Sequence, residues 1–363
     1  LPKGFDMFKL PSISVIIPTY NRLPVLKQLL ARLLEQDYPM GNFEVILIDD
    51  GSQDGTLEYL QTWSAEGKGR FFTQAHQGPG AARNLGASLA NNEVLAFIDS
   101  DCLPEPDWLS RLAYCFNEST EMQAVGGRIQ NVDDGNWLKH FQAVRGTDHT
   151  ANNETDPQYL DTANAAFRRE TFLSAGGFNP NYFWSEDVDL GFRLHRSGIR
   201  LSTTQQAVVW HQGTGSLAAY LRRQVHIGWG TRRLRNDYPE VFNPPPVNGF
   251  RYKIWKALEH LRGSLEHSKT PWQDLRALPS RLLYSLVQLL ADEKTFFWRY
   301  LPNQLQRYRS NQITLFWLCA YMGLEWLCHL AFTFGQMKGP WDFRSKQTPK
   351  PLTPFVSVII PTY

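Results

Sequence analysis

Three short apolar runs in the first hundred residues stop in the same way. "SISVIIP" (12–18) runs into "TYNR", "FEVILI" (43–48) into "DDGS", and "VLAFI" (94–98) into "DSD". The first is a short β-branched run of the kind found in buried strands of parallel sheets. Between the runs, "RLPVLKQLLARLLEQ" from Arg22 to Gln36 spaces its apolar residues three and four apart, which predicts an amphipathic helix. Further helices are expected over Thr56 to Glu66 and over "GPGAARNLGASLA", Gly78 to Ala90. Strands alternating with helices require an α/β domain with a mostly parallel sheet. In such sheets ligands bind beyond the carboxyl ends of the strands, and that is where this chain collects its acids.

The region from Gly126 to Asn179 is mixed in pattern. From about Arg251 the chain reads as helical, in "RYKIWKALEHL", "SRLLYSLVQLL" and "ITLFWLCAYMGLEWLCHLAF". Ile313 to Phe334 is the most apolar stretch, yet it carries Glu325 and His329, which a membrane span would hold at a cost. A buried or interfacial helix is the favoured reading. "GPWDFRSKQTPKPLTP", Gly339 to Pro354, is proline-rich and reads as a linker. Beyond it the final "SVIIPTY" repeats Ser14 to Tyr20 residue for residue, the expected first strand of a second, truncated module of the same kind. The expected division is therefore 1–240 catalytic domain, 241–338 helical extension, 339–354 linker and 355–363 second module. Tethered modules would raise the effective concentration of a shared intermediate.

Net charge over the whole chain is only +2, but Lys and Arg outnumber Asp and Glu between Gly215 and Ser310. Such asymmetry concerns partners rather than fold. Contact with an acidic acceptor or a membrane surface fits it, and no recognised nucleic-acid module is present. The four cysteines form no C-x-x-C pair, so reduced thiols and a cytoplasmic setting are expected, with peripheral contact at the inner face of a membrane.

The strand ends carry the chemistry. Asp99 and Asp101 in "IDSD" are two apart, which on a strand puts both carboxylates on one side and offers oxygen ligands to a hard divalent cation. Mn2+ or Mg2+ there would stabilise a diphosphate leaving group; a polar turn is the alternative. "IDDGSQDGT" has the same two readings, site or turn. In "GPGAARN", Arg83 and Asn84 fall near a helix N-terminus, where anions are favoured. In "SEDVD", Asp187 opens an apparent helix and is either a functional carboxylate or a cap. His211 follows the apolar run "AVVW" and is either structural or a ligand.

Taken together, "SVIIPTYNR", "VILIDDGSQDGT", "GPGAARNLGA", "VLAFIDSDCLPEPDWL", "TANAAFRRETFLSAGGF", "WSEDVDLGFRLHRSG" and "VVWHQG" resemble glycosyltransferase family 2 in order and spacing, from about Ser12 to Tyr220. The resemblance implies a GT-A fold, a Rossmann-like mostly parallel sheet, here with a C-terminal helical extension. It implies a nucleotide-sugar donor, usually a UDP-sugar, a divalent metal, and transfer with inversion to a glycan, lipid-linked or protein acceptor. Pro18, Thr19, Tyr20 and Arg22 would line the nucleotide pocket. Asp49 and Asp50 would hold base and ribose, with Arg83 near the phosphates. Asp99, Ser100 and Asp101 would form the D-x-D element, with Asp99, Asp101 and His211 as the metal set. Asn164 would face the sugar or acceptor. Asp187 would be the catalytic base, with Glu186 beside it on the acceptor. "RRQVHIGWG", Arg222 to Gly230, departs from the gating motif of processive members.

Inverting transfer is one displacement at an oxocarbenium-like centre. It needs a base on the acceptor hydroxyl and help for the leaving group. A silent binding module that positions a partner transferase is the alternative, disfavoured by the presence of both D-x-D and "EDVD". A nucleotidyltransferase would need a glycine-rich basic phosphate loop, which "PTYNRLP" is not.

Overall fold

The computed structural model describes residues 10–119, 121–145 and 157–242, together with residues 324, 327, 328, 330 and 331. The chain divides into two units, one reaching Gly215 and the other starting at Ser216. The expected linker (339–354), the second-module strand (355–363) and all but a few residues of the helical extension lie outside the described residues.

In chain order the first unit comprises β1 (Ile13–Thr19), α1 (Leu23–Leu34), β2 (Phe43–Asp49), α2 (Thr56–Ala65), β3 (Arg70–Thr73), α3 (Pro79–Leu89), β4 (Val94–Ile98), β5 (Cys102–Pro104), α4 (Trp108–Glu118), β6 (Ala124–Asn131), α5 (Trp137–Arg145), β7 (Asn164–Arg168), α6 (Arg169–Ser174), α7 (Glu186–Arg196) and β8 (Ser202–His211). The strands form one sheet in the order β3-β2-β1-β4-β7-β6-β8-β5. β1 to β4 are mutually parallel, as the alternating pattern requires. β7 runs antiparallel between β4 and β6, and β5 antiparallel to β8.

The sheet is buried on both faces. Ile13, Val15 and Ile17 point to the layer holding α1, α2 and α4, with Leu26, Leu30, Leu60, Trp63 and Leu112. Ile16 points to the opposite layer, with Ala82, Ala87, Phe172 and Leu190 from α3, α6 and α7. At roughly 25 cal/mol per Å² of apolar area, these two layers supply the main driving force of the unit. α3 lies so close to β1 that a Cβ on Gly86 would meet Ile16 Cγ2 at 2.5 Å, so only glycine fits there.

In the second unit, α8 (Leu217–Asp237) starts on Ser216, whose hydroxyl accepts from the Ala219 N–H, and α9 (Pro239–Phe242) follows. The "RRQVHIGWG" segment lies on α8, where Arg222 and Arg223 are exposed. Among the described residues no helix is long and apolar enough to cross a membrane.

Candidate active site at the strand ends

The chain runs β1, β2, β3 outward on one side, then returns through α3 to place β4 on the other side of β1. The topological switch therefore falls between β1 and β4, the place where open α/β sheets bind ligands. β1 stays paired to β2 as far as Thr19↔Asp49, but to β4 only as far as Ile16↔Phe97. Pro18, which has no N–H to give a ladder, sits just past that last β4 pair. The strands part there, and the segments 19–22 and 99–101 flank the opening.

Beyond β1, Asn21 adopts φ 51°, which asparagine tolerates. It is stitched to the β2–α2 loop: its N–H donates to Ser52 Oγ at 2.9 Å, and its Oδ1 accepts from Gln53 N at 2.7 Å. Asp54 completes the seam by accepting from Leu23 N at 3.0 Å and from the Thr56 hydroxyl. Those hydrogen bonds hold its carboxyl below the usual range against the opposing effect of desolvation. Asp54 and Asn21 are site-forming residues that the sequence expectations omitted. The turn letters of "DDGSQDGT" carry part of that signal, but the partner loop lies more than thirty residues away.

The two acids that end β2 serve the protein's own loops. The carboxylate of Asp49 accepts from Ser52 N at 3.1 Å. Asp50 accepts from Gln74 Nε2 at 2.7 Å, Gln77 N at 2.9 Å and Gly78 N at 2.9 Å, and lies 2.8 Å from His76 Nδ1. The anion at the N-terminus of α3 is therefore Asp50 itself, the arrangement that favours negative charge there. His76 stacks on Tyr20 with ring centroids 4.1 Å apart, and Phe183 meets His76 edge-on at 5.7 Å. Tyr20 is 41% exposed and Phe183 37%, so the rings form an open aromatic shelf at the rim. Pro18 and Thr19 are buried in β1, so their side chains do not reach such a shelf.

Residues 99–101 form a turn rather than a strand end, so the alternation argument for the D-x-D pair does not hold. The two carboxylates go to different arginines. Asp99 Oδ1 accepts from Arg83 Nη2 at 2.6 Å, and Asp101 Oδ2 from Arg22 Nη1 at 2.8 Å. Ser100 is buried between them in sequence. His211, the last residue of β8, reaches Asp101 because β5 and β8 pair Cys102 with His211. Its Nε2 lies 3.8 Å from Asp101 Oδ1. Its Nδ1 lies 3.1 Å from Asn131 Oδ1, an acceptor, which orients the ring so that Nε2 faces Asp101.

Among the described residues no group of three or more His, Cys, Asp and Glu is assembled as a metal cage. The expected set of Asp99, Asp101 and His211 is thus not gathered at one point: Asp99 faces Arg83, while Asp101 and His211 stand 3.8 Å apart. Ligand atoms each about 2.1 Å from one ion commonly lie 3 to 4 Å apart, so Asp101 and His211 fit a shared divalent cation. The mixed oxygen and imidazole donors suit manganese better than magnesium, which prefers oxygen throughout.

Arg83 is the hub. Its side chain is only 4% exposed, and it donates from Nη1 to Glu186 Oε1 at 2.7 Å while Nη2 holds Asp99. Charge on both sides keeps it firmly protonated despite burial. Glu186 opens α7 after Ser185, a non-glycine residue at φ 66°. A left-handed serine is strained, and such strain collects at functional sites. Burial raises the Glu186 carboxyl, with Arg83 opposing. Asp187 is raised well above the ordinary range, first by burial, then by the charges of Glu186 and Asp161. Its Oδ1 accepts from Val188 N at 2.8 Å, so it also serves the helix start. Asp161 was not among the expected residues; it lies just ahead of the "TAN" block and is a further acid beside Asp187.

Asn164 requires a correction. It is 1% exposed, inside the sheet rather than facing a pocket. Its Oδ1 accepts from Trp108 Nε1 at 2.8 Å, and its Nδ2 donates to Arg128 O at 3.0 Å and Ala207 O at 2.9 Å. A Cβ on Gly127 would stand 2.3 Å from that Nδ2, so the amide depends on glycine beside it. Asn164→Ala is expected to leave three buried polar groups without partners and to cost about 3 kcal/mol or more. Urea unfolding would read this as a lower midpoint, with nucleotide binding by the folded protein unchanged.

The family described as Glycosyl transferase family 2 matches residues 14–174. The glycosyltransferase AglE of Haloferax volcanii is 27% identical over 225 residues, 61% of this chain and 73% of that protein. The validoxylamine A glucosyltransferase of Streptomyces hygroscopicus subsp. jinggangensis is 28% identical over 232 residues, 54% of each chain. The chain thus spans about half the length of the second relative and somewhat more of the first. Among solved structures, the mannosyltransferase PcManGT of Pyrobaculum calidifontis, in complex with GDP-Man and Mn2+, superposes with a TM-score of 0.55 at 20% identity, covering 93% of this chain and 89% of that one. That likeness concerns the fold.

Proposed function

We propose that this chain, a glycosyltransferase that carries a family 2 domain on a GT-A fold, moves a sugar with inversion from a nucleoside-diphosphate donor to an acceptor hydroxyl, with a divalent metal at Asp101 and His211 and Asp187 as the base. The observation that carries the proposal is the Arg83 bridge. One guanidinium holds Asp99, next but one to the metal ligand, and Glu186, next to the base. The leaving-group side and the attacking side of a displacement are thereby held to one buried group, the proximity that a single-step transfer needs.

The residues divide the work as follows. A divalent metal held by Asp101 and His211 would supply positive charge for the departing diphosphate. Tyr20 and His76 offer an aromatic face to the base of the nucleotide. Arg22 is exposed beside Asp101 and adds a cation for the phosphates. Asp187 takes the proton of the acceptor hydroxyl as that oxygen attacks the anomeric carbon from the side opposite the diphosphate. A carboxyl raised by burial and by neighbouring acids is a stronger base than an exposed aspartate, so its environment suits that task. Glu186 and Asp161 stand ready to accept hydrogen bonds from acceptor hydroxyls. A UDP-sugar is the favoured donor, and a carbohydrate hydroxyl the favoured acceptor.

The test is calorimetric titration of the protein with UDP and with GDP, with and without Mn2+, followed by a donor-sugar screen. Binding that depends on Mn2+ and disappears in Asp101→Asn is expected. Equal binding by the wild type and Asp101→Asn would move the diphosphate site away from Asp101.

A further inference from the structure

The two D-x-D carboxylates meet two arginines of opposite character. Arg83 is enclosed, with 4% of its side chain exposed, and it grips acids on both sides. Removing it from Asp99 would also strand Glu186, so that pair is permanent. Arg22 has 51% of its side chain exposed and holds Asp101 through Nη1 at 2.8 Å. An ion pair this exposed contributes a factor of about five at most to any equilibrium, so it exchanges readily. Its anchor is firm even though its head is loose. Arg22 is the N-cap of α1, and its neighbours Asn21 and Leu23 are tied to Ser52, Gln53 and Asp54.

Resting on the metal reading above, we infer that Arg22 is a charge gate on the metal site. It opposes a bare divalent ion at Asp101 and favours an ion that arrives with a diphosphate. Two effects of Arg22 on the ion compete. By holding Oδ2 it orients the carboxylate so that Oδ1 faces His211 Nε2, which favours binding. As a cation on the other oxygen of the same carboxylate, it would repel a doubly charged ion by about tenfold at low ionic strength, for a separation of about 5 Å in water. Orientation by an exposed pair is the smaller of the two, so repulsion decides. A diphosphate reverses the balance. Its oxygens would ligate the ion and would also give Arg22 a new anionic partner, turning repulsion into a shared attraction. Metal and nucleotide therefore bind cooperatively, and by linkage each tightens the other by the same factor.

The experiment is titration of Mn2+ alone, followed by electron paramagnetic resonance of the free ion, on the wild type, Arg22→Gln, Arg22→Lys and Asp101→Asn, then repeated with UDP and with GDP. Arg22→Gln is expected to bind Mn2+ alone about five- to tenfold more tightly than the wild type. Its further gain on adding nucleotide should be smaller by at least the same factor. Arg22→Lys keeps the charge and should bind Mn2+ alone no more tightly than the wild type. Unchanged or weaker Mn2+ binding in Arg22→Gln overturns the inference. Asp101→Asn separates that outcome from failure of the underlying reading. If Asp101→Asn binds Mn2+ as the wild type does, the metal is held elsewhere and the assignment of Asp101 fails. If it loses Mn2+ while Arg22→Gln does not gain, only the gate is wrong.

Discussion

Asp187→Asn is expected to stop transfer while making the folded protein more stable. General-base catalysis contributes about 10²- to 10⁴-fold, and a carboxamide cannot take the proton, so kcat should fall at least hundredfold. Nucleotide binding should survive, because Asp187 lies on the side of Glu186 and Asp161 rather than of Asp101. The stability effect has the opposite sign because of the raised carboxyl. In the folded state the charged form is disfavoured by burial and by two neighbouring acids. In the unfolded chain it is not. Wild-type stability therefore declines as pH rises from the ordinary aspartate range to the raised value, since the folded state holds its proton longer. Asn carries no charge and escapes that loss. Its Oδ1 can still accept from Val188 N, so the helix start is preserved. Thermal melts at pH 8 should show a higher midpoint for the variant, by about 2–4 °C per kcal/mol relieved, and a smaller difference at pH 4. The same raised carboxyl sets the wild-type rate profile: transfer needs deprotonated Asp187, so the acid limb should lie above the ordinary carboxylate range. A variant that transfers normally would place the base elsewhere.

The parts of this site that were legible in the sequence are those set by local physics. β1, β2 and β4 announce themselves as β-branched runs, and the parallel sheet with its ligand face follows from alternation with helices. β7 does not announce itself. "NAAFR" has a composition that suits a helix as well, and it becomes a strand only by pairing with β4 on one side and β6 on the other. Asn164, at its start, lies in a block whose resemblance to a functional one predicts a pocket residue. The sheet turns its amide inward to Trp108, a partner 56 residues away. The expected metal set is divided for a similar reason. Spacing alone put Asp99 beside Asp101, but the turn at 99–101 splits them and long-range cations claim each one. His211 was ambiguous from "AVVW" alone. What orients its ring is Asn131, 80 residues earlier. Local pattern finds the groups that do chemistry, and tertiary charge pairing determines which of them are available.

Arg83 is the clearest case of that division, and its removal should produce the largest loss of stability. "GPGAARN" at a helix N-terminus invites anions: Asp50 takes the backbone donors there, and Arg83 takes the protein's own Asp99 and Glu186, 16 and 103 residues away. Arg83→Leu would leave the buried Glu186 carboxylate without its counter-charge and beside the partly exposed Asp99. Removing one partner from a buried ion pair costs about 3–5 kcal/mol; Glu186, 8% exposed, bears that loss, while water partly relieves Asp99, 32% exposed. That is a large fraction of the 5–15 kcal/mol typical of a domain. The deficit should depend on pH in a definite direction. The Glu186 carboxyl is already raised by burial with Arg83 opposing, so loss of Arg83 raises it further. A raised carboxyl destabilises the fold once pH exceeds its unfolded value, and the penalty fades as acid protonates it. Arg83→Leu should therefore unfold much more readily in urea at pH 8 than at pH 5. The triple variant Arg83→Leu, Asp99→Asn, Glu186→Gln removes the stranded charges and should recover most of the stability. Recovery without activity would show that this ion cluster maintains the site's geometry at a cost the fold alone does not require, as buried ion triads replaced by neutral groups have done elsewhere. If Arg83→Leu were as stable as the wild type at pH 8, the two carboxylates would not depend on Arg83, and the bridge between donor and acceptor sides would lose its physical basis.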